Sequence, residues 1–249
     1  MYYCCGLTDK GAVCEINEDA YLVGGIVMDH AQTECDLKAP FIAAVADGVG
    51  GEDAGEIASK MTLELLSAVK PTKRTDFAGK VMKIHQKVRE TGLKTDHKNM
   101  QSTLCALCVD EKNNAYVINV GDSRLYLYRE GTLKQISTDQ SLVQMLYEQG
   151  SITEIEKAKH NGHNIIMPVI GNLANDPEPV ITQIDGGLGY GDVVLICSDG
   201  LSDYVTRGEI EEILSWPMHL SKRLRALADL ALEHGSTDNI TAVGVFCRK

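Results

Sequence analysis

Short apolar runs ending in tight polar turns alternate along this chain with longer stretches whose apolar positions repeat at helical spacing. Phe41-Ile42-Ala43-Ala44-Val45-Ala46 runs into Asp47-Gly48, and Val193-Val194-Leu195-Ile196-Cys197 runs into Ser198-Asp199-Gly200. Both read as buried strands that deliver an Asp-Gly turn. Leu104 to Val109, Ala115 to Val120 (ending in Gly121-Asp122-Ser123-Arg124) and Leu125 to Tyr128 read as further strands, with Tyr126 and Tyr128 on one face. The β-branched run Ile240-Thr241-Ala242-Val243-Gly244-Val245-Phe246 follows Ser236-Thr237-Asp238-Asn239 and reads as an interior strand.

Helices are predicted through Phe77, Val81, Ile84 and Val88, and through Leu224, Leu227, Ala228, Ala231 and Leu232, each set lining one face. Leu142 to Gln149 and Ser151 to Lys159 are also helix-like. Ser151-x-x-Glu154 and Thr206-x-x-Glu209 have capping-box spacing, and Gly235 is placed to end a helix at His234. Neither an internal repeat nor a Pro/Ser-rich linker interrupts the pattern, so residues 1–249 are expected to form a single domain.

Composition narrows the chemistry. The 24 Lys and Arg against 35 Asp and Glu leave a net charge of -11, which offers no field for a polyanion, so nucleic acid is not an expected partner. The start Met1-Tyr2-Tyr3-Cys4-Cys5-Gly6 has no basic region followed by an apolar segment, so the eight cysteines are expected as free thiols in the reducing cytoplasm. No apolar run approaches the roughly 18 residues of a membrane span, and no membrane association is expected. Cys105 and Cys108 lie three apart on a predicted strand and so face opposite sides, which excludes joint zinc ligation. The seven histidines show no metal-ligand spacing and read mostly as surface residues.

Asp19, Asp47, Asp122, Asp199 and Asp238 all stand where an apolar run meets a turn, positions from which rigid elements can aim side chains at one point. Ionised carboxylates that close repel one another, and a divalent cation resolves the conflict. Carboxylates plus a turn carbonyl such as that of Gly48 are hard oxygen donors, suited to magnesium or manganese. No cysteine begins a Cys-x5-Arg stretch, which leaves a phosphocysteine route unsupported.

Longer strings around these acids resemble the PPM family of metal-dependent protein serine/threonine phosphatases (type 2C, in the bacterial style). They are Gly11 to Asp19, Val45-Ala46-Asp47-Gly48-Val49-Gly50-Gly51, Gln101-Ser102-Thr103, Val120 to Arg124, Cys197 to Asp203 and Ser236 to Thr241, in the family's order. The resemblance implies an α+β fold, a four-layer α-β-β-α sandwich of two antiparallel sheets flanked by helices, with the site where strands of both sheets end. It implies hydrolysis of phosphoserine and phosphothreonine on proteins by a water bridged between two Mn2+ or Mg2+ ions. Asp19, Asp47, Gly48, Asp199 and Asp238 would be the ligands, and Asp47, Asp199 and Asp238 would act through the metal-bound water. Asp122 and Asp203, with Asp199, would serve a third ion. Glu18, Asn17 and Asn239 would support the ligands from behind, the asparagines by bonding their own turn and neighbouring carboxylates. Phosphorylated proteins are the implied substrates and a Ser/Thr kinase the functional counterpart.

Two departures bear on activity. Cys14 stands where the family places an arginine that holds the substrate phosphate, and Met167-Pro168 occupy the middle of His163 to Gly171, where bacterial relatives carry another arginine. An alternative reading therefore stands beside the enzyme: a catalytically weak phosphatase-like module that binds phosphoproteins or partner proteins. A cation over Cys14 would also lower its thiol pKa, giving a redox-sensitive thiol, against the plainer reading of a small filler. The segment from Asp139 to about Asn175 lies where relatives carry a flap over the cleft.

Overall fold

The computed structural model describes residues 1–49, 54–153, 156 and 167–248. Fourteen strands are found among them: β1 (Tyr2–Asp9), β2 (Ala20–Val23), β3 (Ile26–Met28), β4 (Gln32–Leu37), β5 (Phe41–Ala46), β6 (Gly48–Val49), β7 (Gln101–Ser102), β8 (Leu104–Val109), β9 (Ala115–Val120), β10 (Arg124–Arg129), β11 (Thr132–Gln135), β12 (Val180–Ile184), β13 (Val193–Cys197) and β14 (Ile240–Cys247). The helices are α1 (Gly55–Ser67), α2 (Phe77–Thr95), α3 (Leu142–Glu148), α4 (Asp199–Ser202), α5 (Arg207–Ser215) and α6 (Leu220–Glu233).

Two six-stranded sheets carry the fold, in the orders β11-β10-β13-β14-β1-β4 and β12-β9-β8-β5-β2-β3. Every pairing within them is antiparallel. Alternation along each strand splits its side chains between two cores, because successive Cβ atoms leave opposite faces. Phe41, Ala43 and Val45 meet Val194, Ile196, Val243 and Val245 in the layer between the sheets. Ile42, Ala44 and Ala46 turn outward to Leu63, Leu66, Val81 and Val88 of α1 and α2. Leu195, Cys197 and Ala242 face Ile210, Leu224 and Leu227 of α5 and α6. The result is the expected four-layer sandwich. Cys105 packs between the sheets and Cys108 under the helices, as their three-residue spacing requires.

The helix signals resolve in detail. Thr206 and Glu209 form the reciprocal capping box of α5, and Gly235, at φ +85°, follows the end of α6 in the left-handed conformation that glycine adopts without strain. Glu154 of the Ser151–Glu154 capping-box spacing lies outside the described residues. Thr153 donates from N and Oγ1 to Glu156 Oε2, both at 2.8 Å. The remainder of Ser151 to Lys159, the stretch His163 to Ile166, and Gly50 and Gly51 lie outside the described residues.

Three local expectations are corrected. Gly48 is not in a turn: it forms the two-residue strand β6, paired with Ser102 of β7. Asp199 does not close a strand into a plain turn but opens the short helix α4 behind Ser198. His85 is fully buried rather than superficial; its Nδ1 accepts from Gly171 N–H at 3.1 Å and its Nε2 faces Asp176 Oδ1 at 3.2 Å.

Candidate active site

Asp19, Asp47, Asp122, Asp199 and Asp238 come together where β2, β5, β9, β13 and β14 meet their loops, so the two sheets supply acids to one cleft. Their environments differ. Asp19 lies at the floor, 2% exposed, while Asp47, Asp122 and Asp199 are half-buried and Asp238 and Asp203 stand at the exposed rim.

The mutual influence is strong. Burial, with the Asp199 and Asp238 charges, pushes Asp19 up to about 7, against hydrogen bonds from Thr241 and Ser198 that favour its ionised form. Burial and the Asp199 charge push Asp122 up to about 8, and burial with Asp238 and Asp203 takes Asp199 to about 6. Asp47 is held well above the carboxylate range by burial and by the charges of Asp19, Asp199, Asp122 and Asp238. Each shift states that ionising one more acid here costs free energy unless positive charge arrives.

A scaffold of hydroxyls and amides fixes these acids. Ser198 Oγ donates to Asp19 Oδ2 at 2.8 Å and accepts from Thr241 N–H at 3.0 Å. Asp47 N–H donates to Thr103 Oγ1 at 3.0 Å, Thr103 N–H returns a bond to Asp47 O at 2.8 Å, and Thr103 Oγ1 meets Ser123 Oγ at 2.8 Å. Ser198, Thr103 and Ser123 stand within the motif strings, but the sequence assigns them no role. Ser198 and Ser123 adjoin Asp199 and Asp122 in the chain, whereas Thr103 has no acid beside it and meets Asp47 only through the tertiary fold.

Asn239 is the clasp of the cleft. Its Nδ2 donates to Lys10 O at 2.8 Å and Ile16 O at 3.1 Å, and its Oδ1 accepts from Glu18 N–H at 2.8 Å. Asn17 donates to Thr8 Oγ1 and Asp29 O, both at 2.9 Å, and accepts from Asp19 N–H at 3.3 Å. The two side chains thus grip backbone groups and, for Asn17, a hydroxyl, while the Asn239 backbone N–H donates to the neighbouring carboxylate at Asp238 Oδ1, 2.7 Å away. Glu18, half-buried, is raised by burial and by Glu56 and Asp238, and its carbonyl accepts from Gly48 N–H at 3.1 Å. At Gly48 an added Cβ would strike Gly55 O, and at Gly200 it would strike Asn239 O, so both glycines permit backbone approaches that a side chain forbids.

Arg124 brings the clearest positive charge, yet it is committed. Its guanidinium binds Asp139 Oδ2 at 2.9 Å, Asp203 Oδ1 at 3.0 Å and Ser202 O at 2.9 Å. Cys14 donates its thiol to Thr237 O at 3.3 Å at the rim, and burial together with Asp238, Glu18 and Asp19 pushes that thiol up. In the metal-free chain Cys14 is therefore less acidic than an ordinary thiol. Met167 is 40% exposed and donates its N–H to Gln140 O at 2.8 Å.

Cations fit this donor set. Among the described residues no three His, Cys, Asp or Glu side chains are preassembled around one point. The acids are nonetheless gathered, their oxygens are hard donors, and Asp199 Oδ1 is buried without a hydrogen-bond partner.

The family model described as protein phosphatase 2C matches residues 22–234. The chain belongs to the protein phosphatase 2C family. Among curated members, the serine/threonine protein phosphatase PstP of Mycobacterium tuberculosis is 32% identical over 245 residues, 95% of this chain and 43% of PstP. This chain thus spans less than half the length of that relative. The serine/threonine phosphatase stp of Listeria innocua is 33% identical over 249 residues, covering 95% of this chain and 92% of the relative. Among solved structures, the S. agalactiae serine/threonine phosphatase superposes over 100% of both chains with a TM-score of 0.84 at 29% identity. The catalytic domain of PstP in complex with two manganese ions matches over 100% of both chains, with a TM-score of 0.80 at 28% identity. Among the described residues of the cleft, position 14 offers a thiol and Arg124 is committed to Asp139 and Asp203.

Proposed function

We propose that this chain, as a single domain over residues 1–249, hydrolyses phosphoserine and phosphothreonine esters on proteins. The observation that carries the reading is the convergence of Asp19, Asp47, Asp122 and Asp199, all held above the carboxylate range and with Asp199 Oδ1 buried and unpartnered, in a phosphatase 2C fold. Asp19, Asp47, Asp199, Asp238 and the Gly48 carbonyl would hold two manganese or magnesium ions. When bound, such ions activate water and neutralise phosphoryl oxygens.

The chain's own residues have distinct tasks in this reading. Asp19, fixed by Ser198, gives the floor a buried negative charge whose direction is set before any ligand arrives. Asp47 is locked at both its amide and its carbonyl to Thr103, which holds β6 and Gly48 at the cleft. Asn239 ties the 10–18 loop to β14, so Asp238 and Glu18 keep a common frame. Asp122 and Asp203 would serve a third ion, with Asp203 shared between that role and Arg124. A thiol at position 14 offers no charge-assisted bond to a phosphate, so substrate affinity rests on the ions and on contacts outside the phosphate.

Phosphorylated proteins are the substrates in this reading, a Ser/Thr kinase is the functional counterpart, and the cytoplasm is the compartment. The membrane reading rests on one fact, that no helix among the described residues is long and apolar enough to cross a bilayer. Cys14 and Met167 also favour a second reading, a weakly active module that binds phosphoproteins.

Hydrolysis of a phosphothreonine peptide with manganese, with magnesium and with EDTA, for wild type, Asp47→Asn and Asp238→Asn, separates the two. Metal-dependent turnover lost in both variants is expected. Stoichiometric manganese binding without turnover would replace the enzyme with the binding module.

A further inference from the structure

A groove of about 440 Å³ lies between α5 and α6, on the helical layer that covers the β11-to-β4 sheet. Its composition follows from matched spacing on the two helices. On the α5 side Glu209, Glu212, Ile213 and Trp216 recur at intervals of three, one and three, which places them on one face. On α6, Ala226, Asp229, Leu230 and Glu233 repeat the same intervals. The floor is therefore apolar, with Trp216 and Leu230 half-buried, and four carboxylates stand on its rim.

These carboxylates are only partly compensated. Glu209 caps α5 and lies 3.8 Å from His234 Nε2, and Asp229 lies 3.7 Å from Arg225 Nη1. Among the described residues Glu212 and Glu233 have no cation partner. Neither is needed to cap or brace a helix, and neither belongs to the aspartate cleft. An acidic rim over an apolar floor is complementary to a segment that carries lysines or arginines around an apolar anchor. It repels polyphosphates and anionic lipid surfaces by the same charge.

We propose that this groove docks a basic amphipathic segment of a partner protein, an apolar side chain seated against Trp216 and Leu230 and its cations paired with Glu212 and Glu233. The inference stands on the groove alone and does not depend on the phosphatase reading. Tryptophan is among the residues enriched at the energetic centres of protein–protein contacts. The groove also lies near the cleft in the chain: Glu233 is followed by His234, whose Nδ1 meets Tyr204 O at 2.8 Å, and Tyr204 Oη meets Thr237 Oγ1 at 3.2 Å beside Asp238. A segment bound here sits one short connection from the catalytic rim.

Trp216 is the single tryptophan of the chain, so its emission reports the groove directly. The full chain is titrated with a synthetic lysine–leucine amphipathic peptide, with a lysine–serine peptide of equal charge, and with spermidine. Saturable quenching or a blue shift is expected with the lysine–leucine peptide. Affinity should fall about tenfold for the lysine–serine peptide and about tenfold for the Glu212→Gln/Glu233→Gln variant. Retained manganese-dependent hydrolysis of p-nitrophenyl phosphate, or an unchanged circular dichroism spectrum, shows that the variant is folded. No saturable response, an equal response to spermidine, or an unchanged affinity in the double variant would overturn the proposal.

Discussion

Replacing Asp19 by Asn should make the metal-free chain more stable and the metal-loaded chain less so. Asp19 is 2% exposed and its carboxyl is raised to about 7, chiefly by burial. A folded-state value above the unfolded value of about 3.8 means the folded chain holds a proton that the unfolded chain releases. The resulting penalty is absent at low pH, grows as pH rises from about 4 to about 7, and is complete above the folded value. At about 1.4 kcal/mol per unit, its upper bound at pH 8 is about 4 kcal/mol. Asp199 and Asp238 carry part of that cost and ionise more readily once Asp19 is neutral, so about 2 kcal/mol of gain is the expected magnitude. For a domain of this size that corresponds to roughly 4–8 °C in Tm. Differential scanning fluorimetry in EDTA at pH 8 and pH 5 measures it: the gain of Asp19→Asn over wild type should be full at pH 8 and shrink by half or more at pH 5. With saturating manganese the order should reverse, because wild type alone keeps the floor carboxylate. A lower Tm for Asp19→Asn in EDTA at pH 8, or a gain independent of pH, would refute burial of this charge as the cause.

Other outcomes follow from the same geometry. Manganese should bind about tenfold or more tightly at pH 8 than at pH 6, since Asp19, Asp122 and Asp199 compete for protons near 7, 8 and 6; isothermal titration calorimetry at the two pH values checks this. Cys14→Arg should lower KM for a phosphothreonine peptide roughly ten- to a hundred-fold by supplying charge-assisted hydrogen bonds, and unchanged kinetics would remove the missing guanidinium as a limit on binding. Arg124→Met strands Asp139, only 9% exposed at its side chain, and should cost ~3 kcal/mol in chemical denaturation. Gly200→Ala drives a Cβ into Asn239 O and should cost roughly 1–3 kcal/mol together with most of the turnover.

Strands flanked by abrupt turns were legible because their signal is local. Phe41–Ala46, Leu104–Val109 and Val193–Cys197 are apolar throughout since they are covered on both faces, and only turn residues can end such runs. The first strand was not legible. Tyr2–Asp9 mixes two tyrosines, two cysteines and a glycine, and its place between β14 and β4 depends on partners more than two hundred residues and about thirty residues away. The edge strands Ile26–Met28, Gln32–Leu37 and Val180–Ile184 were missed for a related reason: they are short or mix polar with apolar residues, apolar positions such as Ile26, Val180 and Ile181 stand exposed, and each is held by one neighbouring strand only.

The acids of the site were visible in the chain as turn residues, and the ordered motifs around them were enough to expect their convergence. What the sequence determined by itself is the set of groups available: five aspartates at strand mouths, glycines beside three of them, and a thiol in place of a guanidinium at position 14. Tertiary structure alone decided how those groups differ. Asp19 is sealed at the floor while Asp238 stands in solvent, Arg124 is consumed by Asp139 and Asp203, and Asn239 turns inward to bind the 10–18 loop. The physical reason is that burial, charge proximity and hydrogen-bond closure depend on through-space distance between strands far apart in the chain, whereas turn chemistry and periodicity depend on neighbours a few residues away.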